Sequence, residues 1–145
     1  MEISGMGTSK DLGVLVDTNI LLYIYDRLDP FWKVIYFLDF KPRFFVHKLV
    51  FHELSTLEAK HKNSRVMQSR VRLARQYLEV YKSYWEEINC CSWMDTDSAI
   101  LETAKKFNFL IFTNDKVLKN RALKDGIGII FLMDKGKIIK SFSLI

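Results

Sequence analysis

The chain has 145 residues, 49% apolar and 27% charged, with only 2 Pro and 6 Gly; this is the profile of one compact domain and excludes a disordered or low-complexity protein. A chain of this length buries roughly two thirds of its unfolded surface in a single core. Its 22 Lys and Arg against 17 Asp and Glu give a net charge of +5, an excess whose placement matters more than its size.

Residues 1–12 are polar and carry Gly and Ser, so they read as a flexible leader, with 13–145 as one domain. Val14 to Val16, closed by Asp17, is a short apolar run of the kind buried on both faces of a sheet. A helix capped by Thr18 or Asn19 follows, with Ile20, Leu21, Ile24 and Tyr25 as its apolar stripe. Asp29-Pro30 opens a second helix marked by Phe31, Val34, Ile35 and Leu38 and closed by Pro42. Arg43 to Val46 is the next strand, and Leu49, Val50, Leu54 and Leu57 mark a third helix with Glu53 in its opening turns.

From Asn63 to Ile88 the apolar residues step by alternating fours and threes, which predicts one long amphipathic helix. Its seam packs either on the domain itself or on a partner or second copy. Ile88 to Ser92 reads as a strand, and Asp97 as the N-cap of a helix over 98–107. Phe109 to Thr113 is a strand, Asn114-Asp115 introduces a short helix, and Gly128 to Met133 is the next strand. A turn at 134–137 then leads into Ile138 to Phe142, which predicts a terminal hairpin.

The longest apolar run, Ile127 to Met133, is too short to span a bilayer. The opening residues also lack the basic and apolar regions of a signal peptide, so a cytoplasmic protein without membrane contact is expected. Cys90 and Cys91 are adjacent, where a disulfide is strained, so free thiols are expected.

Alternating strands and helices predict a three-layer α/β/α sandwich around a mainly parallel sheet. Asp17, Glu53, Asp97 and Asp115 then fall at strand carboxyl ends or helix starts, along the edge where such sheets bind ligands. Singly, each is as well read as a helix cap or surface acid. Together they repel one another, and a hard divalent cation with oxygen ligands, Mg²⁺ or Mn²⁺, offsets that repulsion.

Val16-Asp17-Thr18-Asn19, His52-Glu53-Leu54, Asp97-Ser98-Ala99-Ile100-Leu101 with Ala104, and Thr113-Asn114-Asp115 together resemble the PIN domain, a family of metal-dependent ribonucleases. The resemblance runs from about Gly13 to Leu132. It implies a metal centre of Asp17, Glu53, Asp97 and Asp115 with Thr113 and Asn19 as positioning groups. Asp95 is the alternative to Asp97 if that helix begins earlier. At Val117, where many relatives carry a further acid, the chain departs from the pattern, which argues against a second tightly held metal and leaves open one recruited alongside substrate. It further implies endoribonuclease activity on RNA, a homodimer, and, for VapC-type members, the toxin of a toxin-antitoxin pair with an antitoxin protein as partner. The alternative is a PIN-like RNA-binding or protein-interaction module without turnover.

Two basic groups suit a phosphodiester backbone. Lys116 and Lys119 follow Asp115 directly, with Arg121 and Lys124 beyond them. Arg65, Gln68, Arg72 and Arg75 share one stripe of the long helix, which reads equally as a solvated face. His47, His52 and His61 lack zinc-ligand spacing and read as structural, and Trp32, Trp85 and Trp93 read as core.

Overall fold

The computed structural model describes residues 11–142. Apart from Asp11 and Leu12, the expected leader lies outside them. Six strands form one sheet: β1 (Gly13–Val16), β2 (Arg43–His47), β3 (Trp85–Ile88), β4 (Leu110–Phe112), β5 (Ile129–Met133) and β6 (Ile138–Phe142). Their spatial order is β3-β2-β1-β4-β5-β6. The first five are mutually parallel, and β6 closes the edge antiparallel to β5 with Ile130 opposite Ser141.

Parallel neighbours require crossovers, which the helices α1 (Thr18–Leu22), α2 (Pro30–Leu38), α3 (Lys48–Lys60), α4 (Arg65–Val80), α5 (Thr96–Phe107) and α6 (Lys116–Lys124) supply. Successive side chains of β1 point to opposite faces, yet Val14, Leu15 and Val16 are all fully buried, so both faces of the central strand are covered. This is the three-layer sandwich expected. Gly13 opens β1 because the Phe109 ring, stacked on Phe45 at 4.4 Å, lies where a Cβ would stand, 2.2 Å away. Among the described residues no helix is long and apolar enough to cross a membrane.

Three local expectations are corrected. The first helix is capped by Asp17 itself and tightens after Leu22 into a 3₁₀ turn over Tyr23–Asp26, which ends at Arg27 with φ of 71°. The long helix ends at Val80, and the strand after it is Trp85–Ile88 rather than 88–92. Apolar spacing ran on through both elements, but the edge of β2 has backbone groups to satisfy, and pairing Phe44 with Trp85 and His47 with Ile88 satisfies them. The helix over 98–107 starts earlier, at Thr96, because Asp95 takes the cap by accepting from Ser98 N at 3.1 Å.

The seam of α4 is covered within the domain: Val71, Ala74, Tyr77 and Leu78 are buried, and the helix packs on α1, α3 and the 3₁₀ turn. Tyr77 also donates to Asp29, the cap of α2, and accepts from Phe31 N at 3.0 Å. His47 is a buried structural residue; Nδ1 accepts from Leu49 N at 3.0 Å while Nε2 reaches the Cys90 carbonyl at 2.6 Å. Both cysteines are free and half-buried.

Candidate active site

The strand order reverses between β1 and β4, with β2 and β3 to one side and β5 and β6 to the other. In parallel sheets the carboxyl ends of two such strands splay apart and leave a crevice. Asp17 follows β1 there, and Thr113, Asn114 and Asp115 follow β4. The backbone N–H of Asp17 donates to Phe112 O at 3.0 Å, so the ladder between the two strands continues up to the acid.

Asp17 is only 4% exposed. One carboxylate oxygen, Oδ1, accepts from Thr18 N at 2.8 Å, while Oδ2 accepts from Thr113 Oγ1 at 2.7 Å and Asn19 Nδ2 at 3.0 Å. Burial nevertheless raises its pKa to about 6; the hydrogen bonds from Thr113 and Thr18 pull it back, and the charges of Asp97 and Glu53 push it up again. Thr113 is fully buried and links two acids, since its hydroxyl oxygen also accepts from Asp115 N at 3.0 Å. Asn19 Oδ1 accepts from Asn114 N at 3.1 Å, which fixes the loop between β4 and α6 against α1.

The other three acids lie around this pair. Asp115 caps α6 by accepting from Leu118 N at 3.0 Å. Glu53, half-buried on α3, accepts from the Thr18 hydroxyl. Asp97 occupies the first turn of α5; burial is the main cause of its raised pKa, followed by the charges of Asp115 and Glu53, with Arg121 opposing them. Asp95 behaves differently. Its pKa is lowered, first by the hydrogen bond from the Ser98 side chain, because its charge is used in capping α5. The helix thus begins early, as the alternative for Asp95 required, yet it is Asp97 that shares a field with Asp17, Glu53 and Asp115.

Among the described residues no ion pair involves any of the four acids. An all-oxygen donor set with unneutralised charge fits a hard divalent cation. Within the same residues, however, no three Asp, Glu, His or Cys side chains are drawn together at metal-ligand spacing. Glu53 is turned onto Thr18, and Asp17 onto Thr113 and Asn19.

The two basic groups differ in their surroundings. Arg75 pairs with Glu58 at 2.8 Å and reaches Ser55 Oγ at 2.9 Å, and Gln68 donates to the carbonyls of Glu58 on α3 and His61 just beyond it, so half of the proposed stripe holds α4 to α3. Arg65 and Arg72 are exposed. On α6, Lys116 is exposed, Lys119 lies over the Phe131 ring at 4.5 Å, and Arg121 donates to Ser98 Oγ at 3.0 Å. The tryptophan expectation is corrected: Trp93 is 81% exposed and Trp32 is 39% exposed beside Tyr36. Residues that take part in the site without having been singled out are Thr18, which holds Glu53, and Asn114, whose Oδ1 accepts from Leu132 N at 2.7 Å.

No family model matches the chain. Ribonuclease VapC9 of Archaeoglobus fulgidus is 29% identical over 139 residues, which cover 95% of this chain and 96% of that protein. Among solved structures, the PIN domain endonuclease Utp24 superposes with a TM-score of 0.68 at 24% identity over 92% of each chain. A domain of a functionally unknown protein from Methanocaldococcus jannaschii gives 0.63 at 18% identity, covering 89% of this chain and 96% of that domain. The resemblance to PIN-domain ribonucleases, carried by four short motifs, thus extends over nearly the whole chain, and the fold is that of a PIN domain.

Proposed function

We propose that this chain, a PIN domain in fold and similar to a ribonuclease along nearly its entire length, is a divalent-metal-dependent endoribonuclease that hydrolyses RNA phosphodiester bonds. The observation that carries the reading is the buried Asp17, raised to about 6 at the switch point of the sheet in the field of two further acids. A buried carboxylate with like charges around it lowers stability at neutral pH unless a cation joins it.

Asp17, Asp97 and Asp115 would hold Mg²⁺ or Mn²⁺, and Glu53 would complete the set or orient the attacking water. When bound, the ion would supply Lewis acidity for activating a water nucleophile and neutralising charge on the scissile phosphate. Thr113 and Asn19 fix the Asp17 carboxylate, and Thr18 sets the direction of Glu53. Lys116, at the start of α6 next to Asp115, would meet a phosphate of the substrate. The test is cleavage of single-stranded RNA with Mn²⁺ or Mg²⁺ and with chelator. Cleavage that survives chelation, or that survives Asp17→Asn in a folded protein, overturns the reading.

The VapC-type resemblance extends the proposal to the toxin of a toxin-antitoxin pair, acting in the cytoplasm as a homodimer and silenced by an antitoxin protein. An antitoxin-like reading frame beside the gene and the mass in solution test these extensions. A second reading, a PIN-like binding module without turnover, is favoured by the absence of a drawn-in ligand set among the described residues. Thermal unfolding separates the two, because a working site gains stability with millimolar Mn²⁺ as the logarithm of one plus the ratio of ion concentration to Kd, whereas a vestigial one gains little.

A further inference from the structure

A groove of about 930 Å³ lies between α2 and the β5–β6 turn, and Asn114 is among its lining residues. Asn114 sits between Thr113 and Asp115 and is tied to Asn19, so the groove reaches the loop that carries Asp115. Its walls are chemically distinctive. On α2, Pro30, Phe31 and Val34 enter the core, while Trp32 and Tyr36, one helical turn apart, face the groove with their rings 5.5 Å apart. Tyr36 is 78% exposed. Opposite them the turn presents Lys135 and Lys137, and Lys33 crosses over to donate to Lys137 O at 3.1 Å.

Basic residues outnumber acids in the lining, with Arg27, Lys33, Lys135 and Lys137 against Asp26, Asp29 and Asp134. Asp26 is paired with Arg70 at 2.6 Å, and Asp29 is engaged by Trp32 N and the Tyr77 hydroxyl. Asp134 is then set against Arg27, Lys33, Lys135 and Lys137, none of which has an ion-pair partner among the described residues. A groove with a basic excess and two adjacent accessible aromatic rings, lined also by the residue next to Asp115, matches a polyanion whose bases are free to stack. Paired bases keep their faces stacked inside a duplex and offer nothing to these rings.

We infer that this groove is the track for unpaired RNA next to the scissile bond, with Trp32 and Tyr36 stacking bases and Lys33, Lys135 and Lys137 contacting phosphates. The inference rests on the nuclease reading and adds to it the face along which the substrate lies and the side chains that hold it there.

The experiment measures binding of a fluorescein-labelled oligouridine to the Asp17→Asn chain in Mn²⁺, at fixed salt, by anisotropy. Tyr36→Ala and Trp32→Ala each weaken binding about tenfold, and Lys135→Gln with Lys137→Gln lowers the salt dependence. A duplex of the same length binds more weakly than the single strand. Circular dichroism verifies the fold of each variant, and the high exposure of Tyr36 makes its truncation the safer of the two. In the unmodified chain, a 4-thiouridine oligonucleotide should photo-crosslink to peptides spanning 32–36 and 133–137. Unchanged affinity in folded Tyr36→Ala, with RNA still cut by the parent chain, overturns the groove and leaves the nuclease reading standing. A parent that neither binds nor cuts RNA removes both. If Tyr36→Ala converts a dimer to a monomer without altering RNA affinity, the groove is a face between copies of the chain and the inference fails.

Discussion

The hydroxyl of Thr113 donates to Asp17 Oδ2 at 2.7 Å across 96 residues of sequence, and the same oxygen accepts the backbone N–H of Asp115 at 3.0 Å. One buried side chain therefore sets the spacing between two acids brought by different strands. In Thr113→Val the hydroxyl is lost with little change of shape, which leaves a buried carboxylate short of a donor and a backbone N–H without an acceptor. A cost of about 1–3 kcal/mol is expected in denaturant unfolding at neutral pH, with loss of RNA cleavage. Thr113→Ser, which keeps the oxygen, should retain both in large part.

The raised pKa of Asp17 makes the stability of the metal-free protein depend on pH in a stated direction. Its carboxyl titrates near 3.8 when unfolded and at about 6 when folded, so between those values the folded state holds the extra proton. Stability therefore falls as pH rises through that window, by about 3 kcal/mol once both forms are ionised. Chelator-treated protein should unfold at higher denaturant at pH 5 than at pH 7.5. Asp17→Asn should flatten the difference, and saturating Mn²⁺ should do so in the parent. A parent whose stability increases over the same interval contradicts this account of the carboxylate.

Asp95 and Asp97 separate capping from chemistry. Asp95 accepts from Ser98 N at the start of α5, whereas Asp97 lies in the field of Asp115 and Glu53. Asp95→Ala should lower the melting temperature through loss of a cap and leave most of the cleavage rate. Asp97→Asn should leave the melting temperature of the metal-free protein level or higher and abolish cleavage. The reverse ranking of activities moves the metal ligand to Asp95.

What could be read from residues alone was what local chemistry decides. Apolar runs located β1, β2, β4 and β5, and strands alternating with helices bring Asp17, Glu53, Asp97 and Asp115 to one edge whatever the packing details. Asp29-Pro30 marked α2 because an acid before a proline suits a helix start and little else. β3 was hidden because Trp-Glu-Glu-Ile is not an apolar run, and Trp85 and Ile88 also fit the repeat of α4. The contact of Thr18 with Glu53 spans 35 residues and leaves no local mark. Exposure of Trp32 and Trp93 was equally unreadable, since aromatic residues at helical spacing suit a core and a surface groove alike.

The basic residues on α6 and α4 give the last prediction, because the structure separates those available to a polyanion from those already engaged. Lys116 is exposed beside Asp115, while Arg75 is committed to Glu58 and Ser55 on α3. Binding of single-stranded RNA weakens with salt by about 0.7 in the logarithmic slope per phosphate neutralised. Replacing Lys116 and Lys119 together with Gln should then reduce that slope by about 1.4 if each meets one phosphate. Arg75→Gln should leave the slope unaltered and cost about 0–1 kcal/mol of stability, the worth of a half-exposed ion pair. Arg65 and Arg72, exposed on α4, decide whether RNA also reaches that helix: a lower slope in the Arg65→Gln, Arg72→Gln protein extends the RNA surface across it. With Lys116 and Lys119 replaced, an unaltered slope instead excludes the start of α6 from the RNA path, and the charge that steers substrate to the acids must then come from Arg65 and Arg72 or from the groove beside α2.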